Sequence, residues 1–238
     1  MIDSLELIQR KEQIFDRGPM YNEFVHDALI HEPWNAYSSL FFFIPVIFWL
    51  IYLRGKYRTY GIITALLPVL FLNGLGSTLF HAFRASNWFL LLDWLPAALM
   101  TLILSIYFWH RITRKVWKSV AVVFGFYALA FTMVKVLSQY TRLSGPSIGY
   151  FFTGAAFLVP VIIDLKGNHW KHAGLYLLSL FFLVLALLFR ILDYPTPNPF
   201  PWLPQGTHFL WHIISSMAVF TLGFYIYNTT DRNRLKKN

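Results

Sequence analysis

Long apolar runs separated by short polar ones set the pattern of the chain. Seven runs of about 20 residues stand at 36–53, 62–81, 88–109, 117–137, 147–164, 173–190 and 207–227. An α-helix of about 20 mostly apolar residues crosses the roughly 30 Å hydrocarbon core of a bilayer. The runs are too long and too evenly apolar for the alternating ten-residue strands of a membrane barrel. The pattern therefore predicts an all-α membrane protein: a seven-transmembrane helix bundle, integral and multi-pass, forming a single domain over 1–238.

The breaks between runs are short and hold the residues that end helices. Arg54-Gly-Lys-Tyr-Arg58 follows the first run, and Arg111, Arg114, Lys115 and Lys118 separate the third from the fourth. Lys166-Gly-Asn-His-Trp-Lys171 separates the fifth from the sixth. Asp193 to Pro201 separates the last two, and its four prolines forbid a helix there. Pro45, Pro68, Pro96 and Pro160 fall inside runs, where neighbouring helices can satisfy the freed carbonyls and kinks are expected. Residues 1–35 form a mixed polar extramembrane segment without the basic-then-apolar order of a cleavable signal, so the first span is expected to do the targeting. Residues 228–238 are expected to be a short basic tail.

Composition agrees with the pattern. The 238 residues are 57% hydrophobic and only 13% charged, against roughly 25% charged in soluble domains. The net charge of +9 does not call for nucleic acid. It follows from where Lys and Arg fall. With seven spans, Arg10, Lys11, Arg17, Arg84, Lys135, Arg142 and Arg190 lie on the N-terminal side, and the remaining thirteen of twenty on the other. The positive-inside rule then puts the C-terminus in the cytoplasm and the N-terminus outside or in a lumen. Membrane lipids are the expected surroundings, and the short loops and tail offer little to a protein partner. Cysteine is absent, so a transition-metal site would have to use His, Asp or Glu.

Chemistry concentrates in two distant stretches. Ser77 and His81 lie four residues apart near the end of the second run, Asp93 stands at the start of the third, and His208 and His212 head the last. Polar and ionisable groups within a membrane are costly and commonly functional. Counting spans brings the end of the second and the starts of the third and seventh to one side, so all five residues share a depth. On a helix, positions i and i+4 face the same way. His208 with His212, and Ser77 with His81, are matched pairs. Three imidazoles and a water make a catalytic zinc arrangement.

Each piece alone has a plainer account. An H-x-x-x-H pair can be interfacial, and a membrane Ser commonly bonds a nearby carbonyl or packs against a neighbouring helix. Asp93 can anchor a hydrogen bond, and Gly74 and Gly76 read as close-packing positions. Their coincidence at one depth favours the metal. A metal-free Ser77-His81-Asp93 triad lacks the G-x-S-x-G elbow and leaves His208 and His212 unused. His110, His169 and His172 fall on the opposite side, while His26 and His31 precede the first span.

At these residues the chain resembles the alkaline ceramidase family, in a wider superfamily with adiponectin-type receptors and GPI-remodelling membrane proteins. The matching pieces are Glu32-Pro-Trp-Asn35-x-x-Ser38, Gly76-Ser77-x-x-x-His81, Asp93 and His208-x-x-x-His212. The resemblance implies a zinc amidase that cleaves ceramide-like lipids, with His81, His208 and His212 as zinc ligands and Ser77 and Asp93 as catalytic residues. The family's eukaryotic enzymes also place calcium before the first span. Glu32 matches one position of that site and Glu23 is the upstream candidate, although the acidic cluster around Gly18-Pro-Met-Tyr-Asn-Glu23 is thin. A receptor-like protein and a lipid-ester hydrolase of the same superfamily are the alternatives.

Overall fold

The first apolar run is helical but broken. In the computed structural model, which describes residues 16–140, 145–193 and 198–235, α1 spans Pro33–Ser39, a 3-10 turn follows at Leu40–Phe42, and α2 covers Phe43–Tyr52. Pro45 accounts for the break. It has no N–H to give the Phe41 carbonyl, and its ring crowds the turn before it. The chain tightens there into i to i+3 bonding. Residues 1–15, Arg142, Pro195, Pro197 and 236–238 lie outside the described residues. So do the side chains of Ser138, 145–151 and 231–235.

The remaining helices follow the other runs. They are α3 at Gly61–Phe83, α4 at Asn87–Thr113, α5 at Val116–Tyr140, α6 at Gly145–Gly167, α7 at Ala173–Asp193 and α8 at His208–Leu235. Pro68, Pro96 and Pro160 sit within α3, α4 and α6, which continue through them. Among the described residues six helices are long and apolar enough to cross a membrane: Pro33–Tyr52, Gly61–Phe83, Asn87–Thr113, Val116–Leu137, Ala173–Asp193 and His208–Thr230. The helix α6 stands at the predicted fifth span. The chain is an integral multi-pass membrane protein.

The residues group into two compact units, and the boundary falls inside α4, between Ala97 and Ala98. In the unit of residues 98–171, α5 packs along α6. Trp109 donates its indole N–H to the Ala156 carbonyl at 3.0 Å, and Arg111 pairs with Asp164 at 3.1 Å.

In the other unit α7 lies along α8, and α1 packs against both α3 and α8. Ser179 of α7 donates to the Ala218 carbonyl of α8 at 2.8 Å, the kind of polar link that joins helices in lipid. Aromatic rings seat α2 on α8: Phe48 meets Phe220 with centroids 4.9 Å apart, and Trp49 meets Phe224 at 5.0 Å. Gly223 leaves room for this, since a Cβ there would fall 2.6 Å from the Trp49 indole nitrogen. A Cβ on Gly76 would strike the Leu92 backbone, so α3 and α4 approach closely where Ser77 and Asp93 stand.

Candidate metal centre

Four segments converge on the ends of α3 and α8. Residues 16–32 fold back over the end of α3. Their backbone donates to its last carbonyls, His31 N–H to Ala82 O at 2.9 Å and Glu32 N–H to His81 O at 3.1 Å. This satisfies acceptors that a helix C-terminus otherwise leaves open. Glu23 caps the start of α1 from a distance, accepting from the N–H groups of Trp34 at 2.9 Å and Asn35 at 2.7 Å. Asp193 does the same for α8, accepting from Thr207 N–H at 2.7 Å, and Asn22 holds the Asp193 carboxylate at 3.0 Å. These caps fix the depth and rotation of the helices that carry the histidines.

His81 comes from α3, and His208 and His212 from successive turns of α8. All three are buried, and one nitrogen from each lies within 4.8 Å of those of the others. Ring centroids are separated by 4.7 to 5.2 Å. Tyr21 stacks on His208 at 4.0 Å and covers the cluster from the extramembrane side.

Partners behind the rings orient them. His81 Nδ1 stands 2.5 Å from Glu32 Oε2. His212 Nδ1 faces Ser38 Oγ at 2.9 Å and Ser39 Oγ at 3.2 Å. His81 Nε2 and His208 Nδ1 are buried with no hydrogen-bond partner. Leaving such a group unpaired costs about 1–3 kcal/mol. A cation that takes imidazole lone pairs accounts for a buried site where three rings meet and a carboxylate stands behind one of them. Three imidazole nitrogens, with a carboxylate behind one of the rings, are a donor set that a metal ion can take. The residues present fit a bound metal ion.

Ser77 joins this group. Ser77 Oγ lies 3.0 Å from Ser39 Oγ and 3.5 Å from His212 Nε2. Asp93 is half-buried on α4, and its charge reaches the Tyr21 phenol. Burial first, and then Asp93, push that phenol well above its ordinary pKa. Glu32 is fully buried, with its oxygens on His81 and Arg84, while both Glu23 oxygens cap α1. His26 is exposed, and His31 bonds the Val25 carbonyl at 2.9 Å, away from the cluster.

Several residues of the site carried no role in the sequence. Ser39 and Tyr21 sit in apolar or mixed surroundings that mark neither of them. Arg84 read only as a topology charge. The available signal was its place three residues after His81, with acidic residues upstream to meet it. Asn35 is fully buried with both side-chain amide atoms unpartnered, and its carbonyl accepts from Ser38 and Ser39.

These features define a class: a multi-pass helical membrane protein with a buried three-histidine cluster able to hold a metal ion. No family model matches the chain, and no curated protein matches it.

Proposed function

We propose that the chain is a zinc-dependent intramembrane amidase that hydrolyses ceramide-like lipids to a sphingoid base and a fatty acid. The observation that carries the metal-dependent part is the convergence of three buried imidazoles, of which His81 and His208 each keep an unpaired ring nitrogen. The choice of amide rests on the ordered motifs that resemble alkaline ceramidases. The centre is assigned to the outer or lumenal side by the charge bias of the loops.

His81, His208 and His212 hold the ion. When bound, zinc supplies Lewis acidity at a carbonyl and lowers the pKa of water toward 7. In this reading the Ser77 hydroxyl, 3.0 Å from Ser39 Oγ, turns its hydrogen to the substrate carbonyl oxygen when substrate binds. A donor so placed is worth about 2.7–4 kcal/mol as charge develops on that oxygen. Asp93 takes a proton from the attacking water and returns one to the departing nitrogen. Water thus adds its oxygen to the acyl carbon and its hydrogens to the amine and the acid. Tyr21 and residues 16–32 keep bulk water from the cluster. The acyl and sphingoid chains lie along the apolar helix faces. Calcium forms no part of this reading, because the Glu32 and Glu23 oxygens already face donors of the protein itself.

Metal analysis of detergent-purified chain, beside His208→Ala/His212→Ala and with turnover of a fluorescent ceramide on the same samples, tests the reading. One zinc per chain, lost together with turnover in the variant, supports it. Zinc with ester but not amide cleavage moves it to a lipid-ester hydrolase. Absence of zinc from supplemented wild type overturns it. Asp93→Asn should abolish turnover with zinc retained.

A further inference from the structure

Arg84 heads the fully buried side chains by volume among the described residues. It caps the C-terminus of α3 with φ 46°, the left-handed region. Gly or Asn takes that position with less strain. A strained, buried arginine is retained where its side chain does something a glycine cannot.

Every arm of the guanidinium is engaged. Nε donates to Asp16 Oδ2 at 2.9 Å and Nη2 to Asp16 Oδ1 at 3.0 Å, a two-point grip. Nη2 also donates to the Pro19 carbonyl at 3.0 Å. Nη1 donates to Glu32 Oε1, whose partner oxygen Oε2 meets His81 Nδ1. Phe80 lies beneath the guanidinium, 4.6 Å from Cζ to the ring centroid. The result is one line of contacts: Asp16, Arg84, Glu32, His81.

Formal charges along the line sum to one net negative. Two buried carboxylates held by a single cation leave one charge uncompensated, and Glu32 directs it at His81. A cation on the far side of that imidazole would offset this charge.

We propose that Arg84 is a built-in cation that positions Glu32 behind His81, so that the Asp16–Arg84–Glu32 line sets the metal affinity of the three-histidine centre. Arg84, Glu32 and Asp16 are positioning residues here, acting through His81. The inference rests on the metal reading above and deepens it. Lysine is a poor substitute, since only the planar fork can grip Asp16 at two points and reach Glu32 as well.

The test is zinc affinity of the full-length chain in detergent, by competition with a fluorescent zinc chelator, with apo-protein melting alongside. Glu32→Gln and Arg84→Met should each weaken zinc binding about 10–100-fold, the usual range for losing a partner behind a ligand. The double variant should bind no more weakly than Glu32→Gln alone, because Arg84 acts through Glu32. A purely structural arginine would give additive losses or none. Should Arg84→Met not melt cooperatively, Arg84→Lys decides, with about tenfold weaker zinc binding expected. Zinc held equally by wild type and folded Arg84 variants overturns this inference alone. Additive weakening in the double variant does the same. A wild type that binds no zinc overturns the metal reading and this inference with it.

Discussion

Ser38 Oγ lies 2.9 Å from His212 Nδ1 and donates its own hydrogen to the Asn35 carbonyl 3.0 Å away. The hydroxyl has one hydrogen, so toward His212 it accepts. His212 Nδ1 therefore carries the ring proton and Nε2 keeps its lone pair. Glu32 imposes the same arrangement on His81, whose Nδ1 faces a carboxylate and whose Nε2 is free. Two of the three imidazoles are set in the ligating tautomer before any ion arrives.

Replacing Ser38 by Ala removes the acceptor and leaves the ring free to turn. Zinc affinity should fall about tenfold or more, with cooperative melting of the apo-protein retained. Chelator competition measures this, and unchanged affinity would show that Ser39, 3.2 Å from the same nitrogen, suffices.

Ser77→Ala separates chemistry from metal binding. Its hydroxyl is not a ligand in the proposed centre, so zinc content should stay at the wild-type level. Turnover should fall about 10²–10³-fold, the range for loss of one donor to a developing oxyanion. Steady-state hydrolysis beside metal analysis provides both readings.

Gly76 is a steric prediction. A Cβ there meets the Leu92 backbone, which cannot rotate aside as a long side chain would. Gly76→Ala should force α3 and α4 apart at a cost of about 1–3 kcal/mol. The expected result is a melting temperature lower by several degrees, with a larger loss of turnover than of zinc.

Glu23 supplies a dependence on pH. Burial raises its carboxyl to about 7, against the pull of hydrogen bonds from Asn35 and Trp34. A carboxyl whose folded pKa lies above its unfolded value of 4.5 holds its proton more tightly in the native state. Its contribution is fully present below pH 4.5, is lost as pH rises to about 7, and stays constant above that. The stability of wild type relative to Glu23→Gln should decline across that window. Melting curves of both proteins from pH 4.5 to 8 in one detergent measure it, and parallel curves would show that Glu23 titrates normally.

The helices were legible because lipid imposes a strong rule: a spanning backbone must satisfy itself, so apolar length alone marks each rod. The three-histidine cluster was legible because imidazoles in apolar runs have few other reasons to be there. The break at Leu40–Phe42 was less visible, since Pro45 signals a kink without saying whether the chain bends or tightens. The cover was not legible at all. Tyr21, Asp16 and Arg84 lie in segments with no periodicity, and their roles depend on contacts with residues 52 or more positions away. Tyr21 stacks on His208, and Arg84 reaches back to Asp16. Local patterns carry no trace of such pairings.

The way the first and last parts of the chain meet has a consequence in time. Asn22 holds Asp193 and Tyr21 lies on His208, so these two contacts of the opening segment form only near the end of translation. At typical ribosome speeds the wait between His81 and His208 is of the order of ten seconds. Until then His81 lacks the other two imidazoles of the cluster. A nascent or prematurely ended chain would thus lack the proposed metal centre, and metal uptake would mark a chain whose last helix has been inserted.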